Sequence, residues 1–169
     1  MANRKCVYLA EGECEEKLVK ALKQAPAMIA AGKVKKYNIV QSELSASQLM
    51  QFEPGSSVVL VFDTDVEVTE YLKKNIELLQ KRCQRVEVLT IPQVLNFEDE
   101  IVRSTDIDKA PELTQSKGIA DFKRSVNRMK ENEFRNLLKR HKFDISKLWD
   151  KKPPKAFGFV KQQSGDVKL

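Results

Sequence analysis

Ser57-Val58-Val59-Leu60-Val61-Phe62-Asp63-Thr64-Asp65 decides the fold class of this chain. Five consecutive apolar residues, three of them valine, suit a strand covered on both faces, as in the middle of a parallel sheet. The run stops abruptly at Asp63. Working back toward the N-terminus, Lys5–Ala10 is a second apolar run and reads as a strand, broken by Glu11-Gly12. Glu13–Gln24 follows as a helix with Leu18, Val19 and Leu22 on one stripe, ended by Ala25-Pro26. Met28–Ala31 reads as one more turn before Gly32, and Lys36–Val40 as a second short strand. Ser45–Phe52 is a short helix with Ser45 as its N-cap, and Pro54-Gly55 is a turn. Beyond Asp65, Val66–Arg82 reads as a long helix with Tyr71, Leu72, Ile76 and Leu79 facing inward. Val86–Ile91 reads as a strand closed by Pro92.

Strands and helices thus alternate, which predicts an α/β fold. The economical arrangement is a Rossmann-like parallel four-stranded sheet with right-handed crossovers and helices on both faces. After residue 93 the strand pattern ends. Asn96–Arg103, Gly118–Met129 and Glu131–His141 read as helices. Phe122, Val126, Met129, Phe134, Leu137 and Leu138 face inward, and Phe143, Ile145, Leu148 and Trp149 form an apolar plug before Pro153-Pro154. The expected organisation is a core over 1–93, a mostly helical basic extension packed on it over 94–154, and a mobile basic tail over 155–169.

With 169 residues and 41% apolar composition, the chain suits one domain with a short appendage, and excludes collagen-like, low-complexity and largely disordered classes. No apolar run approaches the roughly 20 residues of a membrane span, and Cys6–Ala10 is too short for a signal-peptide core. Of the three cysteines, Cys6 and Cys83 read as buried apolar positions. None has metal-ligand spacing, and a cytoplasmic setting is expected. Charge is uneven. Residues 1–116 hold 15 Lys+Arg against 18 Asp+Glu, whereas residues 117–169 hold 15 against 6. A net of about +9 on the last third suits a polyanionic partner such as nucleic acid, and equally suits ordinary solvated helix faces.

Ligands of open parallel sheets bind beyond the carboxyl ends of the strands. Two strands end in acid there, at Glu11 and at Asp63-Thr64-Asp65. If those strands are parallel and adjacent, Glu11, Asp63 and Asp65 converge, and such carboxylates repel unless a cation compensates them. Hard oxygen donors favour Mg²⁺ or Mn²⁺. Taken singly, each acid could equally end a strand or cap a helix, Asp65 for the helix from Val66.

The ordered pair of motifs resembles the TOPRIM superfamily. An apolar strand leads into Glu11-Gly12 with Glu15 four residues after Glu11, and a second apolar strand leads into Asp63-Thr64-Asp65, one strand–helix–strand–helix unit later. The likeness covers about residues 5–92. It is nearest to the small stand-alone RloB-like and OLD-type proteins, whose opening motif runs Glu-Gly-x-x-Glu. Asn96-Phe97-Glu98 is similar to an element that RloB-like proteins carry after the sheet. No glycine follows the second aspartate closely, unlike the topoisomerase and primase branches.

The resemblance implies a metal-dependent nuclease cleaving phosphodiester bonds of DNA or RNA, in prokaryotic defence against phage, with an ATPase or another defence protein as a partner. Glu11 would be the general acid/base, and Asp63, Asp65 and Glu15 would hold the metal. Glu98 would be an accessory carboxylate, and Lys117, Lys123 and Arg124 would grip flanking phosphates. A second function class is a catalytically incomplete module of the same fold that binds nucleic acid or a partner protein. A receiver-type phosphoacceptor is disfavoured, because the first strand ends Glu11-Gly12-Glu13 rather than in an acidic pair. A sugar transferase using Asp-x-Asp leaves Glu11-Gly12 unexplained. No glycine-rich phosphate loop is present. His141, Trp149 and Tyr8 read as structural.

Overall fold

The two apolar runs that end in acid lie side by side. In the computed structural model, which describes residues 5–67, 70–82 and 86–169, β1 (Cys6–Ala10) and β3 (Ser57–Asp63) are the central strands of one sheet. The edges are β2 (Gly32–Lys36) and β4 (Glu87–Gln93), giving the order β2-β1-β3-β4 with every pairing parallel. The expected α/β fold with a parallel four-stranded sheet is the observed one.

Handedness fixes where the helices go. The chain leaves β1 through α1 (Glu13–Lys23) toward β2, then crosses back by α2 (Ala46–Leu49) to β3 on the other side of β1. It leaves β3 through α3 (Glu70–Arg82) toward β4. Right-handed crossovers that run in opposite directions must lie on opposite faces. Accordingly Leu18 and Leu22 of α1 join Tyr8, Val59, Val61 and Ile91 in one core, while Leu49, Leu72 and Leu79 join Val7, Leu9, Val58, Leu60 and Phe62 in the other. The half of the first face that α1 leaves open is filled by α4 (Phe97–Ser104), α5 (Ile119–Arg128) and α6 (Glu131–Arg140). Phe97 and Phe122 stack there at 6.0 Å, and Trp149 is wholly buried.

Several boundaries differ from expectation for identifiable reasons. The second strand is Gly32–Lys36 rather than Lys36–Val40, because Gly32 fits against the Cys6 backbone where a Cβ would collide. Met28–Ala31 is not helical; Ile29 pairs with Lys168 in an isolated antiparallel bridge. Residues 64–66 form a bend and α3 is described from Glu70, so Asp65 caps no helix from Val66. Tyr71 is exposed. The inward stripe is completed by Asn75, which donates to the Ile39 and Ser42 carbonyls and accepts from the Leu44 amide. β4 runs through Pro92, which an edge strand tolerates. Ser45 does cap its helix, in a reciprocal capping box with Gln48.

Residues 155–169 are not a loose tail. Phe157, Val160 and Val167 are buried. Gln163 N–H donates to Thr90 O at 3.0 Å, Thr90 Oγ1 donates to Lys161 O at 2.6 Å, and Gln162 Nε2 donates to Pro92 O at 2.8 Å. The segment therefore lies along the otherwise open edge of β4 and shields it from pairing with another chain. Cys6 is buried as expected, and Cys83 lies outside the described residues. Among the described residues no helix is long and apolar enough to cross a membrane.

Candidate functional site

The chain departs from β1 in one direction and from β3 in the other, so the sheet has its topological switch point between these strands. Crevices open there at the carboxyl ends. Each of the four strands delivers a polar residue to that rim: Glu11 just after β1, Asn38 after β2, Asp63 ending β3 and Gln93 ending β4. The two central ends are joined directly. Glu11 N–H donates to Val61 O at 3.0 Å, and the Asp63 N–H donates to Glu11 Oε2 at 2.8 Å. Asn38 also hydrogen-bonds the Glu11 carboxylate.

Helices covering the first face bring further charge. Glu15, buried on the first turn of α1, and Glu98, buried on the first turn of α4, both act electrostatically on Asp63, as do Glu11 and Asp65. Asp65 is exposed on the bend beyond β3 rather than on a continuation of the strand, and Asn96, the N-cap of α4, donates to its Oδ2 at 3.1 Å. Lys123 on α5 reaches Glu98 Oε1 at 2.7 Å. Burial works to lower the Lys123 pKa, but the Glu98 hydrogen bond and charge outweigh it and the net shift is upward.

Crowding acid into a half-buried rim has a large effect on protonation. Asp63 is pushed up to about 9, first by burial and then by the charges of Glu15, Glu11, Asp65 and Glu98. Glu15 is raised to about 6, chiefly by burial, with Glu11 and Glu98 adding to it. Glu11 is raised by burial more than the Asp63 and Asn38 hydrogen bonds lower it. At neutral pH the rim therefore favours any cation that lets its carboxylates ionise.

The donor set fits a hard divalent cation. Asp63 Oδ1 is buried without a hydrogen-bond partner among the described residues, and the carboxylates of Glu15, Glu11, Asp65 and Glu98 act on Asp63 electrostatically. Among the described residues no three acidic, cysteine or histidine side chains form a ready-made metal cage. Magnesium sites seldom need one, since one or two carboxylates, waters and the phosphates of a substrate commonly complete the shell.

Of the residues expected at the site, Glu11, Glu15, Asp65 and Glu98 all act electrostatically on Asp63 and Lys123 pairs with Glu98, though among the described residues no three acids stand close enough to share one ion. Lys117 and Arg124 are exposed and engage Asp121 instead, Lys117 by its backbone N–H and Arg124 by an ion pair of 3.8 Å. His141 pairs with Asp106 at 3.2 Å, and the buried Tyr8 hydroxyl donates to Ala30 O. Asn38 and Gln93 are rim residues that sequence reading missed. The strand boundaries hid them: Asn38 lies inside the strand expected over Lys36–Val40, and Gln93 ends a strand expected to stop at Ile91.

No family model matches the chain, and neither does any curated protein or solved structure.

Proposed function

We propose that the protein is a Mg²⁺- or Mn²⁺-dependent nuclease that cleaves phosphodiester bonds of DNA or RNA. The observation that supports this best is the joining of Glu11 to Asp63 at the switch point of a parallel sheet, with Glu15, Asp65 and Glu98 around them. Asp63 and Asp65 would hold the ion, directly or through water, with Glu15 as an accessory ligand. When bound, the ion supplies charge stabilisation for the scissile phosphate and a lowered pKa for an attacking water. Glu11, whose carboxyl is raised above the ordinary range chiefly by burial, suits a group that both accepts and returns a proton. Lys123 is the cation best placed to meet a flanking phosphate, by exchanging its Glu98 partner for it, and the net positive charge of residues 117–169 would steer a polyanion toward the rim. The TOPRIM-like order of motifs extends the proposal to a prokaryotic defence role with an ATPase or another defence protein as a partner.

A second reading draws on the Lys123–Glu98 pair, which already places an ammonium among the carboxylates. On that reading the chain is a catalytically incomplete module of the same fold that binds nucleic acid or a partner protein.

Purified protein incubated with single- and double-stranded DNA, RNA and tRNA separates the two. Cleavage that requires Mg²⁺ or Mn²⁺, stops with EDTA and falls at least about 100-fold in Asp63→Ala and Glu11→Gln is the expected result. Binding without cleavage on every substrate would replace the nuclease with the module.

A further inference from the structure

Gln93 is wholly buried, and neither its Oε1 nor its Nε2 has a hydrogen-bond partner among the described residues. A buried carboxamide with both ends unsatisfied is costly and calls for an explanation. Its backbone is firmly held, since the Gln93 carbonyl accepts from the Thr64 amide at 3.1 Å and from Thr64 Oγ1 at 2.8 Å. The unsatisfied side chain is therefore not a fraying strand end.

Its position explains it. Gln93 ends β4 in register with Asp63, which ends β3. Registered residues on neighbouring strands share a face, and side chains alternate along each strand. Val59 and Val61, then Leu89 and Ile91, all belong to the core under α1, α4 and α5. Continuing the alternation places Asp63 and Gln93 on that same face, the face from which Glu15 and Glu98 approach. Asp63 Oδ1 and both ends of Gln93 lack partners there among the described residues, whereas Glu98 Oε1, which is likewise buried, lies against the Lys123 ammonium at 2.7 Å.

We propose that Gln93 is a neutral member of the cation site, with Oε1 turned to the ion or its bound water and Nε2 steadying Asp63. This rests on the metal-site reading above. A carboxamide adds an oxygen donor without adding to the repulsion among five carboxylates, which a sixth acid would increase. The amide can also donate, which no carboxylate can, so it orders Asp63 as a ligand in the way that hydrogen-bonded neighbours of metal ligands do.

Calorimetric titration of the full chain with Mn²⁺ alone tests the assignment, read beside urea unfolding in EDTA. Wild type is expected to bind Mn²⁺, with binding lost in Asp63→Ala. Gln93→Leu is expected to weaken binding about tenfold or more, yet to be at least as stable as wild type in EDTA, because it removes an unsatisfied buried amide. Gln93→Glu, which restores an oxygen, should recover affinity relative to Gln93→Leu. Unchanged Mn²⁺ affinity in Gln93→Leu, or a marked loss of its stability in EDTA, overturns the role of Gln93 while leaving the metal site standing. Absence of Mn²⁺ binding by wild type overturns both.

Discussion

The carboxylate of Glu11 accepts a 2.8 Å hydrogen bond from the backbone N–H of Asp63, tying the first residue beyond β1 to the last residue of β3. One oxygen of Glu11 is thereby fixed by the sheet itself, and the orientation of this acid does not depend on a flexible loop. Glu15, one helical turn on, completes the Glu-Gly-x-x-Glu arrangement. The glycine between them has a physical role that can be tested.

Gly12 has an extended backbone (φ −131°) that any residue adopts, so conformational freedom does not require glycine there. Close approach does: a Cβ at Gly12 would lie 2.6 Å from Glu15 Oε2. The obstacle is the tip of a flexible side chain, so Glu15 would move rather than the backbone. Gly12→Ala should therefore change stability by about 1 kcal/mol or less while weakening Mn²⁺ binding. Gly32→Ala is the contrasting case. Its Cβ would lie 2.4 Å from the Cys6 carbonyl oxygen, forcing β1 and β2 apart at a cost of about 1–3 kcal/mol. Urea denaturation of both variants checks the difference; equal losses would mean that Glu15 is not what Gly12 makes room for.

Protonation of the rim couples the stability of the fold to pH. Asp63 is pushed up to about 9 in the folded chain, first by burial, against about 3.9 when unfolded. The native state thus holds this proton more tightly. The stability it contributes is complete below about pH 4 and is lost as pH rises through about 9. Glu15, raised to about 6, acts with the same sign over a narrower window. In EDTA the unfolding free energy of wild type should fall as pH rises across this range, and that of Asp63→Asn should fall less. Added Mg²⁺ should restore more stability at about pH 8 than at about pH 6, because ionised carboxylates bind it. Parallel pH profiles for wild type and Asp63→Asn would count against the buried, crowded environment.

Legibility in the sequence followed burial. Val58–Phe62 is continuous, so its strand and its place at the sheet centre could be read directly, and the acids that end β1 and β3 came with it. β2 could not be placed in the same way. Gly-Lys-Val-Lys-Lys is a half-exposed edge strand whose position is set by the fit of Gly32 on Cys6, a contact between segments 26 residues apart. Tyr71 satisfied the helical spacing, but the core position went to Asn75, whose carboxamide serves three backbone groups of another loop. Gln93 lay one residue beyond the proline taken as a strand end. Its significance comes from lateral register with Asp63, which local pattern does not encode.

Residues 155–169, whose composition suggests a mobile basic tail, are instead held by an aromatic anchor. Phe157 is buried against the second core, 6.3 Å from the Phe62 ring, and anchors the segment that runs along β4. Phe157→Ala should cost about 3–5 kcal/mol, as expected for a truncated core aromatic. Loss of that anchor should also free the Lys161 and Gln163 contacts with Thr90 and leave β4 as an open edge. Faster amide exchange at Gln163 and concentration-dependent association are the expected signs. Lys155→Ala, at an exposed position on the same turn, should do neither. If Phe157→Ala unfolded at the wild-type urea midpoint, the segment would be held by something other than its aromatic anchor.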